Sequence, residues 1–402
     1  MKDSGIPWIG EIPKEWKTEK FKHVFRIKKV LAGKLGYDVL SVTQKGLRVK
    51  DITSNEGQVA SDYTNYQRVH PNDFVMNHMD LITGYVDVAK QEGVTSPDYR
   101  TFYSINADST NNQYYLYIFQ FCYKTRLFYN LGQGVSQFGR WRLPAEQQNE
   151  FVIPVPSFSE QQRIAEFLDR KCGEIDEAIA LQEEFIEELK AYKQSVITEA
   201  VTRGLNPNVK FKDSGIDWIG KIPQGWEVVQ LKRYARVNNG KEVPVELSAD
   251  DENAKPVYGS GGVFKYTNEI MYSGEAVMFG RKGTLGKPLY VNDSFWVVDT
   301  MYFLTYPNKL FPKYSYYQLS AFDWNPFITQ TAIPSIVASD VIAAFICVPP
   351  LTEQRQIADY LDTKCAEIDS LIAIKQQKIE ELKDYKKSVI YEYVSGKKEA
   401  YV

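Results

Sequence analysis

The phrase KDSGIPWIGEIPKEW at Lys2 to Trp16 returns as KDSGIDWIGKIPQGW at Lys212 to Trp226, with eleven of fifteen positions identical. A longer pair obeys the same logic: the segment from Val155 to Val201 matches that from Val348 to Val394, with 27 identities in 47 positions. A repeat of this strength constrains architecture before any local propensity is consulted. The short pair is offset by 210 residues and the long pair by 193, so the stretch between them is 17 residues longer in the first copy. The chain is therefore a duplicated frame around two inserts, about Lys17 to Pro154 and about Glu227 to Cys347, which differ in length and in most residues.

The long repeat reads as a helix in each copy. Ser159 and Thr352 are helix-capping residue types after a proline-containing turn, Gln162 stands three residues beyond Ser159 as in a capping box, and Gly204 and Gly396 follow the last periodic residues as stops. Leu168, Cys172, Ile175, Ile179, Gln182, Ile186, Leu189, Lys193 and Val196 alternate spacings of four and three. The second copy answers with Leu361, Cys365, Ile368, Ile372, Lys375, Ile379, Leu382, Lys386 and Val389. That alternation is a coiled-coil seam. A helix of about forty residues is roughly 60 Å long and unstable alone with a single apolar stripe, so each copy is expected to pair with the other. A plain hairpin and a bundle completed by a partner's helices both remain open at this point. Polar seats shared by the copies, Gln182 with Lys375 and Lys193 with Lys386, can fix register.

The inserts have a different texture. In the first, DVLSVT, DFVMN, GYVDVA and TFYSI read as strands and QYYLYIFQFCY as a helix. In the second, AVMFG, PLYV, FWVV and MYFLTY read as strands and PKYSYYQLSAF as a helix. The similar order predicts one small α/β fold used twice with different surfaces, and DFVM at Asp73 to Met76 matches EAVM at Glu275 to Met278 before a polar loop in each. The fold class expected is α+β: two globular mixed α/β domains separated by two long antiparallel coiled-coil helices with pseudo-two-fold symmetry. The divisions fall at residues 1–154, 155–204, 205–347 and 348–402.

The sequence carries no recognisable catalytic or cofactor motif. Cys122, Cys172, Cys347 and Cys365 lie far apart, and His23, His70 and His78 have no ligand spacing, so neither a metal site nor a disulfide framework is expected. GRKGTLGK at Gly280 to Lys287 departs from a phosphate-binding P-loop in its glycine spacing, and Pro288 stands where Ser or Thr would bind magnesium. YGSGG at Tyr258 to Gly262 lacks the dinucleotide spacing, and WNPF at Trp324 to Phe327 lacks the second proline of an amino-methyltransferase motif. No pair of carboxylates and no nucleophile elbow suggests a catalytic centre. With no run of eighteen apolar residues and no signal-peptide layout, the expected address is the cytoplasm, without a membrane partner.

What remains is a binding protein with two unlike readers on one frame. Duplex DNA offers matching symmetry, since two half-sites on opposite strands are separated by about 34 Å per turn. A net charge of −3 argues against a general polycation, but the first insert region (1–154) carries 19 Lys+Arg against 16 Asp+Glu and the first helical segment (155–204) only 6 against 11. The rival reading is a non-enzymatic coiled-coil scaffold whose two domains bind protein or glycan partners.

The P-x-x-[ST]-E-Q-x-x-I-x-x-[FY]-L-D runs at Pro156 to Asp169 and Pro349 to Asp362, the WIGxIPxxW openings and the order of the segments together resemble the specificity subunit of type I restriction-modification systems. The resemblance spans essentially the whole chain. It implies two target-recognition domains, each reading one half of a bipartite, asymmetric double-stranded DNA site, and paired helices that set their spacing and dock two methyltransferase (M) subunits. Restriction (R) subunits would join through the complex. S-adenosylmethionine, ATP and magnesium would be bound by those partners, leaving no cofactor in this chain and no catalysis of its own. The low charge implies that M supplies part of the phosphate neutralisation.

Side chains able to reach bases or phosphates nominate two patches. In the first insert they are Asn77, His78, Gln133, Gln137, Arg140, Trp141 and Arg142; in the second, Tyr258, Ser260, Gly261, Arg281, Lys282 and Thr284. Trp8, Trp16, Trp218 and Trp226 are expected in the cores, fastening each reader to its frame.

Overall fold

The computed structural model describes all residues except 52–61, 135–140 and 401–402. The chain divides into two compact units, one formed by Met1–Leu181 with Lys378–Val402 and the other by Gln182–Gln377. Each unit holds one globular insert together with part of both long helices.

Those helices run over Phe158–Arg203 and Leu351–Val394. The first starts earlier than its capping-box signal suggested. Ser157 is the cap, its Oγ accepting the Glu160 N–H at 3.3 Å and its carbonyl the Gln161 N–H at 2.9 Å. In the second copy Pro350 occupies that seat, which leaves Ser159 and Thr352 inside the first turn. In the first unit Leu168, Cys172 and Ile175 are buried with Ile379 and Val389, and Ile179 and Leu382 are half-buried. In the second unit Ile186 is buried with Leu361, Cys365 and Ile368, and Leu189, Val196 and Ile372 are half-buried. The ion pairs repeat as well: Lys386 meets Asp176 at 2.6 Å in one unit, and Lys193 meets Asp369 at 2.6 Å in the other. These four residues are two equivalent pairs, so each helix offers the other what it receives, as antiparallel pairing of two copies requires.

The second insert folds around one six-stranded sheet in the order Arg236–Asn239, Met301–Thr305, Tyr272–Gly280, Leu289–Val297, Lys255–Gly259 and Gly262–Thr267. PLYV and FWVV, read above as two strands, are one nine-residue strand. The first insert has two four-stranded sheets. One runs Phe25–Lys28, Arg100–Ser104, Phe74–Met76, Val86–Val88 and the other Gly46–Val49, Val39–Thr43, Gly93–Thr95, Gln67–Val69. Pairing partners show a common topology in which the two nine-residue strands of the second insert are each broken in two in the first. The break is built from local chemistry. Asn72 sits at φ 71°, a region Asn tolerates. The Asp73 carboxylate accepts the His70 N–H at 2.6 Å and pairs with Lys28, so the corner closes on itself.

One helix packs on the Phe25–Lys28 sheet of the first insert, Asn112–Lys124, and one on the sheet of the second, Pro312–Ser320. The first is capped by Asn111, whose side chain accepts the Tyr114 N–H at 2.9 Å, and the second begins with Pro at its first position, where no N–H is needed. Phe119 packs edge-on to Phe25, Phe74 and Phe102 at 5.4 to 5.6 Å.

The glutamine of each E-Q motif explains how an insert is fastened to its frame. Gln161 is buried, accepts the Asn111 N–H at 2.8 Å and donates to the Pro156 carbonyl at 3.0 Å. Gln354 is buried, accepts the Phe311 N–H at 2.7 Å and donates to the Pro349 carbonyl at 2.9 Å. The repeated opening phrase is turn chemistry. Asp3 and Asp213 accept from Gly5 and Gly215 at 3.0 and 2.9 Å, and both glycines have positive φ, at 68° and 74°. Trp16 and Trp226 close the phrases in the cores, at 1% and 2% exposure. Trp8 is half-buried on Phe151, while Trp218 is exposed, outside the core expected for it, and rests its ring edge-on to Phe322 at 5.1 Å. All four cysteines are buried free thiols.

Candidate nucleic-acid interface

In the second unit three loops meet. The strand Tyr272–Gly280 ends at Arg281, whose N–H and that of Lys282 both donate to the Thr300 carbonyl, at 2.8 and 3.1 Å. Gly283 takes φ 81°, and a Cβ there would stand 2.5 Å from the Ser260 hydroxyl, so the loop lies directly on the turn at Gly259–Gly262. Lys282 bridges to Ser335, and Ile336 donates to the Arg281 carbonyl at 3.0 Å. The structure thus brings Ser260, Gly261, Arg281, Lys282 and Thr284 into one patch, with Lys282, Thr284 and Gly261 exposed. Arg281 places its guanidinium 5.8 Å from the Tyr302 ring centroid, a cation–π seat that preorganises it. Tyr258 is half-buried with its ring edge-on to Phe295 at 6.1 Å, so it supports the turn.

The third loop was missed in the sequence. Thr329 to Ser335 forms a hairpin closed by the Ile328 and Ile336 bridge, with Thr329 N–H on the Ser335 carbonyl at 2.9 Å and Gln330 to Pro334 exposed. Its counterpart in the first unit is the bridge near the two ends of the nominated GQGVSQFGRWR segment: Gln133 and Arg142 exchange backbone hydrogen bonds at 2.8 and 3.0 Å, and Leu143 donates to the His78 carbonyl at 2.9 Å. The Gln133–Arg142 bridge and the Thr329 to Ser335 hairpin both lie between the domain helix and the next short helix, Ala145–Glu150 or Ala338–Ala343. That chain position is the signal that locates TQTAIPS.

These hydrogen bonds also set the equivalence of the two patches. Leu143 to His78 corresponds to Ile336 to Arg281, and the Met76–Arg100 pairing corresponds to Phe279–Tyr302. The textual match of DFVM with EAVM is therefore one residue out of register. Phe74 and Met76 face the domain helix, as Val277 and Phe279 do, whereas the textual match would turn every side chain to the opposite face.

Not every nominated residue of the first insert is presented outward. Gln133 and Arg142 are exposed, and Asn77 is half-buried with its carbonyl accepting the Tyr123 hydroxyl at 2.8 Å. His78 is buried at 6% exposure, which corrects its nomination as a base-reading side chain: its imidazole is inside the domain. Burial, then the charges of Arg100 and Arg142, hold it down at about 3, so it is neutral at pH 7. Trp141 stacks on Tyr129 at 5.1 Å and donates its indole N–H to the Tyr129 carbonyl at 2.5 Å, which fastens the chain beside the Gln133–Arg142 bridge. Gln137 and Arg140 lie outside the described residues. Exposed guanidinium, ammonium, amide and hydroxyl groups on loops carried by a rigid sheet are what groove and phosphate contacts use.

The match to known proteins agrees with this anatomy. The model of the type I restriction modification DNA specificity domain covers residues 13–191 and 223–384, and the chain belongs to that family. The putative type I restriction enzyme MjaX specificity subunit of Methanocaldococcus jannaschii is 24% identical over 430 residues, covering 97% of this chain and 95% of that one. The MjaVIII specificity subunit of the same organism is 25% identical over 274 residues, 61% of each chain. Among solved structures, a chain from work on complex assembly and conformational transition of the type I R-M system has a TM-score of 0.74 at 14% identity, covering 96% of this chain and 98% of that one. The HsdS subunit of Thermoanaerobacter tengcongensis has a TM-score of 0.52 at 15% identity, covering 98% and 100%. Among the described residues no helix is long and apolar enough to cross a membrane.

Proposed function

We propose that this chain selects the DNA sequence on which a type I restriction-modification complex acts, each globular unit reading one half of a bipartite, asymmetric site. The observation that carries the reading is the pairing of one topology with two different loop sets: Arg281, Lys282 and Ser260 at one patch, Gln133 and Arg142 at the other. Two M subunits dock on the long helices, and R subunits join through the complex. The chain itself catalyses nothing. S-adenosylmethionine, ATP and magnesium belong to the partners, and an M subunit flips the target adenine from each half-site. The address is the cytoplasm, where the DNA is.

The reading is tested by measuring binding of a DNA duplex by the complex with M across salt concentration. The expected result is a steep linear fall of log affinity with log salt, by about 0.9 for each phosphate neutralised. Salt-insensitive binding, or no DNA binding by a complex that assembles, would instead favour a protein- or glycan-binding scaffold.

A further inference from the structure

Beside the polar loops of the second unit stands an apolar ring that the fold does not bury. The strand Gly262–Thr267 is an outer strand of the six-stranded sheet, and its pairing with Lys255–Gly259 slips by one residue. Gly259 faces Gly262 and Tyr258 faces Val263, but Val257 faces Lys265, so Phe264 is the extra residue of a β-bulge. Phe264 is 55% exposed, and Val263 next to it is 43% exposed. The ring lies against the turn itself, since a Cβ at Gly259 would stand 3.1 Å from its edge. One residue on, the Ser260 hydroxyl carries the Arg281 to Thr284 loop at Gly283. The ring therefore adjoins the patch of Ser260, Gly261, Lys282 and Thr284. The first unit shows that the topology does not demand this. Its equivalent hairpin, Val39–Thr43 with Gly46–Val49, is likewise joined in parallel to a sheet strand, yet it pairs without a slip: Thr43 with Gly46, Val42 with Leu47, Ser41 with Arg48. There the first exposed residue after the turn is Arg48.

Apolar side chains exposed on an outer strand are a liability, because they invite association with other chains. A bulge that turns a phenyl ring into water beside hydroxyls and cations therefore calls for a use. The ring has no group that hydrogen-bonds a phosphate or a base edge. The cation beside it is already engaged: Lys265 places its Nζ 5.8 Å from the ring centroid and pairs with Glu246 at 2.8 Å. Such a ring binds an apolar group, and the one that the major groove of DNA presents is the 5-methyl of thymine. We propose that Phe264 reads a thymine, through its methyl, in the half-site of the second unit. The contact supplies base identity that the hydrogen-bonding side chains of the patch do not, and it requires that half of the motif to contain a thymine.

This rests on the DNA reading above and names one base within it. The full-length chain in complex with M is titrated with duplexes of its recognised sequence in which one thymine at a time, on either strand, is replaced by deoxyuridine, which pairs identically and lacks only the methyl. Wild type should lose affinity on the order of fivefold at one thymine, in the half of the motif that Arg281→Ala relaxes. Phe264→Ala should lose a similar factor on the unmodified duplex and become indifferent to uracil at that position alone. Phe264→Leu, which keeps an apolar side chain, should show a reduced penalty there, and it keeps the test open if Phe264→Ala misfolds. A wild type that binds its sequence but is indifferent to every uracil, or variants that retain the full penalty, would overturn the proposal and leave the DNA reading intact. Weaker assembly of Phe264→Ala with M, with the thymine penalty unchanged, would assign the ring to a protein contact and overturn it likewise. An assembled complex that binds no duplex would overturn both.

Discussion

Buried beside two arginines, His78 makes the stability of the first unit depend on pH. Its folded-state value of about 3 lies below the ordinary 6.5, chiefly through burial and then through Arg100 and Arg142. Between those values the unfolded chain takes up a proton that the folded chain refuses. Stability is therefore complete above pH 6.5 and declines as pH falls toward 3, by up to about 1.4 kcal/mol per pH unit within the window. Urea unfolding of wild type and His78→Gln at pH 7 and pH 4 measures this, with the difference moving in favour of the variant at the lower pH; parallel losses would mean that the imidazole is solvated. At this scale the sequence was legible by residue type only. Asn77, His78 and Trp141 were nominated as polar or aromatic residues near a loop, but burial of His78 and the stacking of Trp141 on Tyr129 depend on how the chain folds back, which no local pattern specifies.

The long helices were the legible elements, because a seam of fours and threes repeated in two copies leaves no other periodic structure. The ends were less so: Ser157 competes with Ser159 for the same cap, and only the backbone geometry decides. The broken strands of the first insert were not legible either, since Asn72 and Asp73 turn the chain through contacts with Ala89 and Lys28. The joint between helix and reader is where an element-level prediction belongs. Gln354→Ala strips a buried partner from both the Phe311 N–H and the Pro349 carbonyl, and Gln161→Ala does the same for Asn111 and Pro156. Each substitution should cost about 1–3 kcal/mol of its unit's stability by urea titration. A change within about 0.5 kcal/mol, typical of surface positions, would show that these glutamines do not fasten the joint.

For the whole molecule, the duplicated frame and the two unlike inserts belong together. Equal frames keep equal joints, Gln161 with Gln354 and Lys386–Asp176 with Lys193–Asp369, while the loops on each sheet are free to diverge. The repeat made that division of labour readable, because the frame residues recur in both copies and most insert residues do not. Loop conformation was beyond it: the docking of Thr329 to Ser335 on Arg281 depends on pairing across the fold. The central claim is that each unit chooses one half of one DNA motif. Mapping methylated adenines in cells that carry the M partner, with wild-type chain, with Arg281→Ala and without the chain, tests it most directly. One bipartite motif should appear only when the chain is present, and Arg281→Ala should relax a single half of it. An unchanged methylome in cells with active M, or equal loss in both halves with Arg281→Ala, would contradict the account.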